Sequence, residues 1–422
     1  MRKRVRVMAS SRASLGRSFN GLWFATGSAN LADGMALFAL PLLALASGAS
    51  AGGVAAVTMV LTLAWPVFGL QAGWIVDRVD RRTLMSSVNL VRAGVLTVVT
   101  IGYATDNLSL PLVLVAAALL GIAETLVDTA LTSTVPLVAA PADRTRANAR
   151  IEATINVANQ LAGPPLAGAL AGATLALATG ASAGLYVTAV AGLAVLALRD
   201  NRQPRTGSTR LGSDLVAGLR HVWRQPLIRT LTLFTAAMNL VWGAALALLV
   251  VYAVDPGPLG LSPVQYGVML TAMAAGGLIA SILVDSLRRR VGASRLLIAD
   301  CVGTVLLVAP VAFGGNVWAV AAGVVVAGAG SSVWRILVAT IRQNLTAADL
   351  LGRVYAASRV ISWGALPVGA GLAGLGAEMW GVRAVFGAAT VLAISMLTAF
   401  VPFAVRNDLS AALVAPADQR TP

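Results

Sequence analysis

The chain is written twice. Asn30 recurs as Asn239, Gly34 as Gly243, Gly94 as Gly303, Gly121 as Gly330, Arg144 as Arg353 and Arg150 as Arg359, each pair 209 positions apart, while Asp77 and Asp285 are 208 apart. Single matches among Gly and Arg mean little, but one nearly gapless offset through several hydrophobic segments marks an internal duplication. The fold must therefore be two copies of one unit. Whatever differs between the copies is not demanded by the scaffold.

Each copy is dominated by apolar runs. The 422 residues are 58% hydrophobic and 11% charged, with a mean hydropathy of +0.81; soluble domains carry about 25% charged residues. One soluble core cannot hide so much apolar surface, and the chain belongs in a bilayer. Crossing the hydrocarbon takes roughly 20 apolar residues. About twelve such runs are present, near 19 to 46, 52 to 76, 84 to 104, 109 to 136, 150 to 172, 175 to 198, 229 to 254, 263 to 287, 294 to 313, 315 to 341, 354 to 377 and 380 to 405. The expected fold is an all-α membrane protein of twelve transmembrane helices in two six-helix bundles, at 19–198 and 229–405, joined by a linker at 199–228 and flanked by tails at 1–18 and 406–422.

The net charge of +14 is distributed as a membrane protein would distribute it. Arginines fill the N-terminal tail and alternate loops: Arg78, Arg81 and Arg82; Arg144, Arg146 and Arg150; Arg202 to Arg229; Arg288, Arg289 and Arg290; Arg342 and Arg353. The loops between carry almost none. By the positive-inside rule both termini face the cytoplasm of an inner (plasma) membrane, and a nucleic-acid partner is not expected. The first apolar run contains Asp33 and is too long for a signal h-region, so it reads as an uncleaved first span.

Several chemistries are excluded by single residues. Cys301 is the one cysteine and His221 the one histidine, which leaves no internal disulfide and no His-rich metal centre. Lys3 is the only lysine, so no GxxxxGK[ST] phosphate loop exists and any transport draws on a gradient or a separate ATPase subunit. No cofactor is expected, and no nucleophile with a positioned base is visible, so a membrane enzyme is the weakest reading.

Between the halves, 199 to 213 hold Arg, Pro, Gly, Ser and Thr without periodicity and read as solvated linker. From Asp214 to Arg224, Leu215, Val216, Leu219, Val222 and Trp223 alternate with Arg220, His221 and Arg224, the pattern of an interfacial amphipathic helix or a plain structural connector.

At the end of the second run stands Gly73-Trp-Ile-Val-Asp77-Arg78-Val-Asp80-Arg81-Arg82. With twelve spans and a six-plus-six repeat, it resembles the loop signature of the major facilitator superfamily. Asn30-Leu-Ala-Asp33-Gly34, Glu124-Thr-Leu-Val-Asp128, Arg146-Ala-Asn148-Ala-Arg150, Gly163-Pro164-Pro165 and Leu350-Leu-Gly352-Arg353-Val more narrowly resemble the macrolide-efflux and siderophore-exporter branch of drug:proton antiporters. The resemblance implies that Asp77 faces the start of span eleven, where Arg353 and Arg359 stand. Together with Gly73, Arg78, Arg81 and Arg82 this would form a charge latch that breaks when the halves rock; the alternative is that the arginines only enforce topology. In the second copy Ser281 replaces Gly73 and Ser286 replaces Arg78. Gly163, Pro164, Pro165 and Gly168 resemble the span-five signature of exchangers, a bendable, tightly packed helix; packing alone is the bland reading.

Intramembrane charge carries the functional argument, because a mid-bilayer carboxylate costs about 3 kcal/mol on insertion scales. The repeat mates of Asp33, Arg92, Glu124 and Asp128 are Trp242, Cys301, Val333 and Leu337, so the scaffold does not need the charges. Counted at about 1.5 Å per residue from the cytoplasmic ends, Asp33 lies roughly 21 Å deep and Glu124 roughly 18 Å, with Arg92 and Asp128 both roughly 12 Å. Asp33 and Glu124, with Asn30, are expected to form a proton or cationic-substrate site, and Arg92 to neutralise Asp128 as a structural ion pair. Otherwise Asp33 and Glu124 hydrogen-bond to Asn30, Asn156, Asn159 or Gln160 and only fix packing. Asn156, Asn159, Gln160, Asn239, Trp242, Trp334 and Trp363, with Met238, Met269 and Met273, are candidates for the cavity wall, against lipid-facing or packing roles. Arg335 and Asp300 are further charges toward the cytoplasmic ends of their spans.

The expected function is secondary transport by alternating access, with export of an amphipathic organic compound (drug, macrolide-like metabolite or siderophore) against protons. The rivals are an importer of a polar nutrient and a transport-inactive sensor or assembly partner. One chain holds both bundles, so a monomer suffices.

Overall fold

The computed structural model describes residues 15–196, 211–347, 350–407 and 409–413; the tail before residue 15, the linker at 197–210 and the tail after 413 lie outside the described residues. The first half runs α1 (Arg17–Ala46), α2 (Ala51–Val76), α3 (Arg81–Ala104), α4 (Leu110–Val138), α5 (Arg144–Ile155), a π-helical segment (Asn156–Ala162), α6 (Gly163–Ala171) and α7 (Leu175–Ala194). After α8 (Leu211–Arg224) the second half runs α9 (Pro226–Ala253), α10 (Pro263–Val291), α11 (Ala293–Ala312), α12 (Val317–Asn344), α13 (Leu351–Trp380) and α14 (Val382–Arg406).

Local chemistry starts and stops these helices. Ser50, Asp80, Ser262 and Asn316 each accept a first-turn backbone N–H, and Ser262 forms a reciprocal capping box with Gln265. Gly292 (φ 89°) and Gly381 (φ 82°) take left-handed backbone that lets α10 turn into α11 and α13 into α14 across one residue.

Eleven helices among the described residues are long and apolar enough to cross a membrane. The twelfth crossing is broken: α5, the π segment and α6 together fill it. The sequence predicts one continuous helix at 150 to 172, and the prolines explain the difference. Pro164 and Pro165 have no N–H to offer the carbonyls of Gln160 and Leu161, and the turn upstream widens into i→i+5 geometry.

Packing repeats as the sequence does. α2 lies on α4 as α10 lies on α12, α3 on α7 as α11 on α14, and α1 on the broken helix as α9 on α13; across the halves α2 meets α13 as α10 meets α6. The repeated glycines Gly34 and Gly243 show why the offset is kept. A Cβ on Gly34 would collide with the Asn159 carbonyl, and one on Gly243 with the Leu366 carbonyl, so each copy needs its glycine where its first helix touches its fifth.

The helix after the linker begins at Leu211, earlier than the apolar pattern indicates. It packs on α13: Val222 is buried with Ile228, Val354 and Ala357, and Gly218 sits against the Arg353 carbonyl. Val216 and Trp223 stay exposed.

Candidate functional site: a cavity between the halves beside a buried charge cluster

A cavity of about 690 Å³ lies between the two halves, within the size range of small-molecule sites. The π segment supplies its polar wall, Asn156, Asn159 and Gln160, with Gly34 and Pro41 of α1 beside it. Trp242 of α9, Trp363 of α13, Tyr266 of α10 and Arg335 of α12 face it from the second half. A second cavity of about 310 Å³ shares Trp242, Ser331, Arg335, Trp363 and Leu366 with the first. It adds Asn239, Trp334, Arg342, Tyr355 and Arg359, and so continues toward the end of the molecule that carries the arginine-rich loops. Trp334 donates its Nε1–H to Thr235 at 2.9 Å, and Asn239 donates to the Ser362 carbonyl at 2.7 Å.

The other end is sealed by backbone. Gly168 of α6 sits against Pro263 and Val264 of α10, and Gly267 of α10 against Pro164. The Phe38 and Tyr266 rings meet across the halves at 5.5 Å, and Gly52 at the start of α2 donates its N–H to Glu378 Oε1 of α13 at 2.7 Å. From Gly52 against Gly374, α2 and α13 run antiparallel to Pro66 against Gly364. There Arg359 stacks on Trp65 at 3.9 Å and on Trp363 at 5.2 Å.

The acidic residues do not line the larger cavity. Asp33 points the other way round α1 from Gly34 and meets Arg92 of α3 at 3.2 Å and the Tyr186 hydroxyl of α7 at 2.6 Å. This corrects the expected pairing of Arg92 with Asp128: the ion pair is Arg92 with Asp33. Depth counting placed Asp33 and Arg92 on different levels, but it ignored helix tilt and the reach of an arginine side chain. Glu124 and Asp128, one turn apart on α4, interact electrostatically with Asp33 and Arg92. Of the three carboxylates only Asp33 contacts the Arg92 guanidinium, whose Nε and Nη2 are buried without a hydrogen-bond partner; Asp128 also feels the charge of Arg359. Asn30 takes no part: it is buried and donates to the Thr26 carbonyl of its own helix. Asn156 likewise donates to the Glu152 carbonyl. Tyr186 escaped the sequence reading; its one signal was a polar-tipped ring in the middle of an otherwise apolar span.

Residues 22–365 match the family model described as the Major Facilitator Superfamily. The chain belongs to this superfamily. Among relatives, it is 30% identical over 271 residues to the multidrug efflux pump Tap of Mycobacterium tuberculosis, covering 61% of this chain and 63% of that one. It is 26% identical over 267 residues to the MFS-type transporter y4rN of Sinorhizobium fredii, covering 63% of this chain and 65% of the other. The matches therefore span a little under two thirds of these relatives. Among solved structures, a mutant of the nucleoside transporter NupG superposes with a TM-score of 0.75 at 14% identity, over 90% of this chain and 98% of that one, which shows the shared fold. The chain is a multi-pass membrane protein with the twelve-helix facilitator architecture.

The three arginines of the loop signature bond within their own half here. Arg78 donates to the Trp74 carbonyl and lies over the Trp74 ring, Arg81 donates to Ser133 of α4, and Arg82 to the Ala194 carbonyl at the end of α7. Gly73 has open space where a Cβ would go, and Asp77 caps the end of α2. Among the described residues no ion pair joins Asp77 to Arg359, which is stacked on Trp65 and Trp363 instead. Gly163 and Gly168 are the close-contact points of the broken helix, against Gly34 and against α10.

Proposed function

We propose that this facilitator exports an amphipathic organic compound in exchange for protons, by rocking of its two halves about the cavity. The observation that carries the reading is the charge cluster beside the cavity. Asp33 is paired with Arg92, Glu124 and Asp128 lie within electrostatic reach of that pair, and the repeat mates of all three carboxylates are uncharged. Such a cluster gives one proton a stable place and lets its loss redistribute the Arg92 contacts, which is how a proton biases a conformational equilibrium. Asp33 adjoins Gly34 on the cavity wall, so a shift of α1 couples the two sites.

The arginine-rich end is the cytoplasmic one by the positive-inside rule, and the sealed end then faces outward. In that orientation the cavity is reached from the cytoplasm, the state from which an exporter loads. Likeness to the efflux pump Tap favours export. The Asp77 latch belongs in the opposite state, when α2 and α13 close at the arginine-rich end. No resident cofactor is needed, and one chain supplies both halves.

The test is substrate-triggered proton movement in proteoliposomes across hydrophobic cations, macrolides and catecholate siderophores, with Asp33→Asn and Glu124→Gln as variants. Coupled exchange in the parent that either change abolishes supports the reading. Exchange that survives both changes sinks the coupling role of the cluster.

A further inference from the structure

We infer that the transported compound carries a negative charge on an apolar body, and that Arg335 receives it. This rests on reading the cavity as the substrate site and adds a charge to that reading. Among the described residues Arg335 is the single charged side chain lining the larger cavity; the remaining wall is apolar, hydroxyl or amide. Asn344, the last residue of α12, is nine positions further on, so about 14 Å of helix separates Arg335 from that end. An ion at such depth is retained against a cost and marks a working site.

Two other arginines within the bundle already have partners, while the Arg342 Nε near the end of α12 is buried without one. Arg92 is paired with Asp33, and Arg359 is stacked between Trp65 and Trp363. The Arg335 side chain is exposed and makes no hydrogen bond or ion pair among the described residues. In the smaller cavity it is joined by Arg342 and Arg359, against one carboxylate, Asp300, which is 2% exposed and is held in the contact between α11 and Gly330 of α12. The approach from the arginine-rich end is therefore lined by positive charge. An organic cation enters against that field, and an anion enters along it.

The guanidinium fork matches a carboxylate, phosphoryl or sulfonate group in two parallel hydrogen bonds. Trp242 and Trp363 offer flat apolar surface beside it for the rest of the molecule. The cationic-substrate alternative finds no carboxylate on the wall of the larger cavity: Asp33 faces Arg92, and Asp300 lines only the smaller cavity, where it is 2% exposed.

The experiment uses three probes with one dansyl body and different ends: dansylglycine (anionic), its amide (neutral) and a dansyl trimethylammonium (cationic). Binding to the purified full chain is read by energy transfer from tryptophan, and movement by counterflow in proteoliposomes. The anion is expected to bind at least about tenfold tighter than the cation, the scale of one charge-assisted hydrogen bond. Arg335→Gln is expected to bring the two within about threefold while leaving the amide unchanged. Arg335→Lys, the fallback if the glutamine variant fails to fold, keeps the order but weakens the anion several-fold by losing the fork.

A cation bound as tightly as the anion, or an unchanged preference in Arg335→Gln, overturns the inference. Anion binding without movement keeps Arg335 as the anion site and removes the transport reading; preferential movement of the cation overturns the inference and keeps that reading. Binding of none of the three removes both. Repeating the titration with and without phosphatidylglycerol in the vesicles separates the anion's source: competition assigns the site to lipid-borne anions, and its lack to soluble ones.

Discussion

Glu378 on the last turns of α13 accepts the backbone N–H of Gly52 at the first turn of α2, 2.7 Å away and across the two halves. A carboxylate meeting a helix N-terminus is the interaction expected of Asp77 at the arginine-rich end. Here a residue outside any motif makes it at the opposite end, where the two halves are in contact; under the proposed mechanism it would hold that end shut.

Glu378→Ala is therefore expected to raise accessibility of the cavity from the sealed side. The chain has one native cysteine, Cys301, and it is buried, so a reporter at Leu37→Cys on the cavity wall can be followed with little background. A several-fold faster reaction with a membrane-impermeant thiol reagent from that side is the expected outcome; an unchanged rate removes Glu378 from the seal.

The buried pair makes a stability prediction. Arg92→Met leaves the Asp33 carboxylate without its cation, at a cost of about 3–5 kcal/mol. Adding Asp33→Asn removes the orphaned charge, and the double variant is expected to recover a large part of the loss in thermal unfolding in detergent. Additive destabilisation would show that the two residues act independently.

The repeated glycines separate contact from coincidence. Gly34→Ala and Gly243→Ala each push a methyl into a carbonyl of the neighbouring helix, and each is expected to cost about 1–3 kcal/mol. Gly94, which also obeys the repeat offset, has nothing within 4 Å of a Cβ, and Gly94→Ala is expected to be neutral or to stabilise by up to about 1 kcal/mol. Yield and melting temperature of the three variants check this.

Restoring backbone donors to the broken helix tests its widened turn. Pro164→Ala with Pro165→Ala returns N–H groups to the carbonyls of Gln160 and Leu161, which favours regular helix and turns the Asn156, Asn159 and Gln160 face. Transport is expected to fall several-fold with the amount of folded protein maintained. Retained transport would make the π segment a packing detail.

How much of this was legible beforehand follows from where the information lies. Helix existence, the six-plus-six repeat and the arginine-rich loops are properties of local composition and spacing, because a bilayer demands apolar length from every crossing and charge only at its ends. The scaffold was readable for that reason. So was the list of residues that break the repeat, since an unneeded intramembrane charge stands out against its mate.

The sequence alone therefore determined the fold, the membrane setting and which side chains are chemically out of place. Tertiary structure decided which way each of them points. Asp33 and Gly34 are neighbours in the chain, yet one faces Arg92 and Tyr186 inside its own bundle and the other faces the cavity. About 100° of helix rotation separates consecutive residues, and that angle is referred to a partner only when the helices pack. Arg335 came to line the cavity and Glu378 to meet Gly52 the same way, through packing of segments far apart in the chain, which no spacing along it encodes.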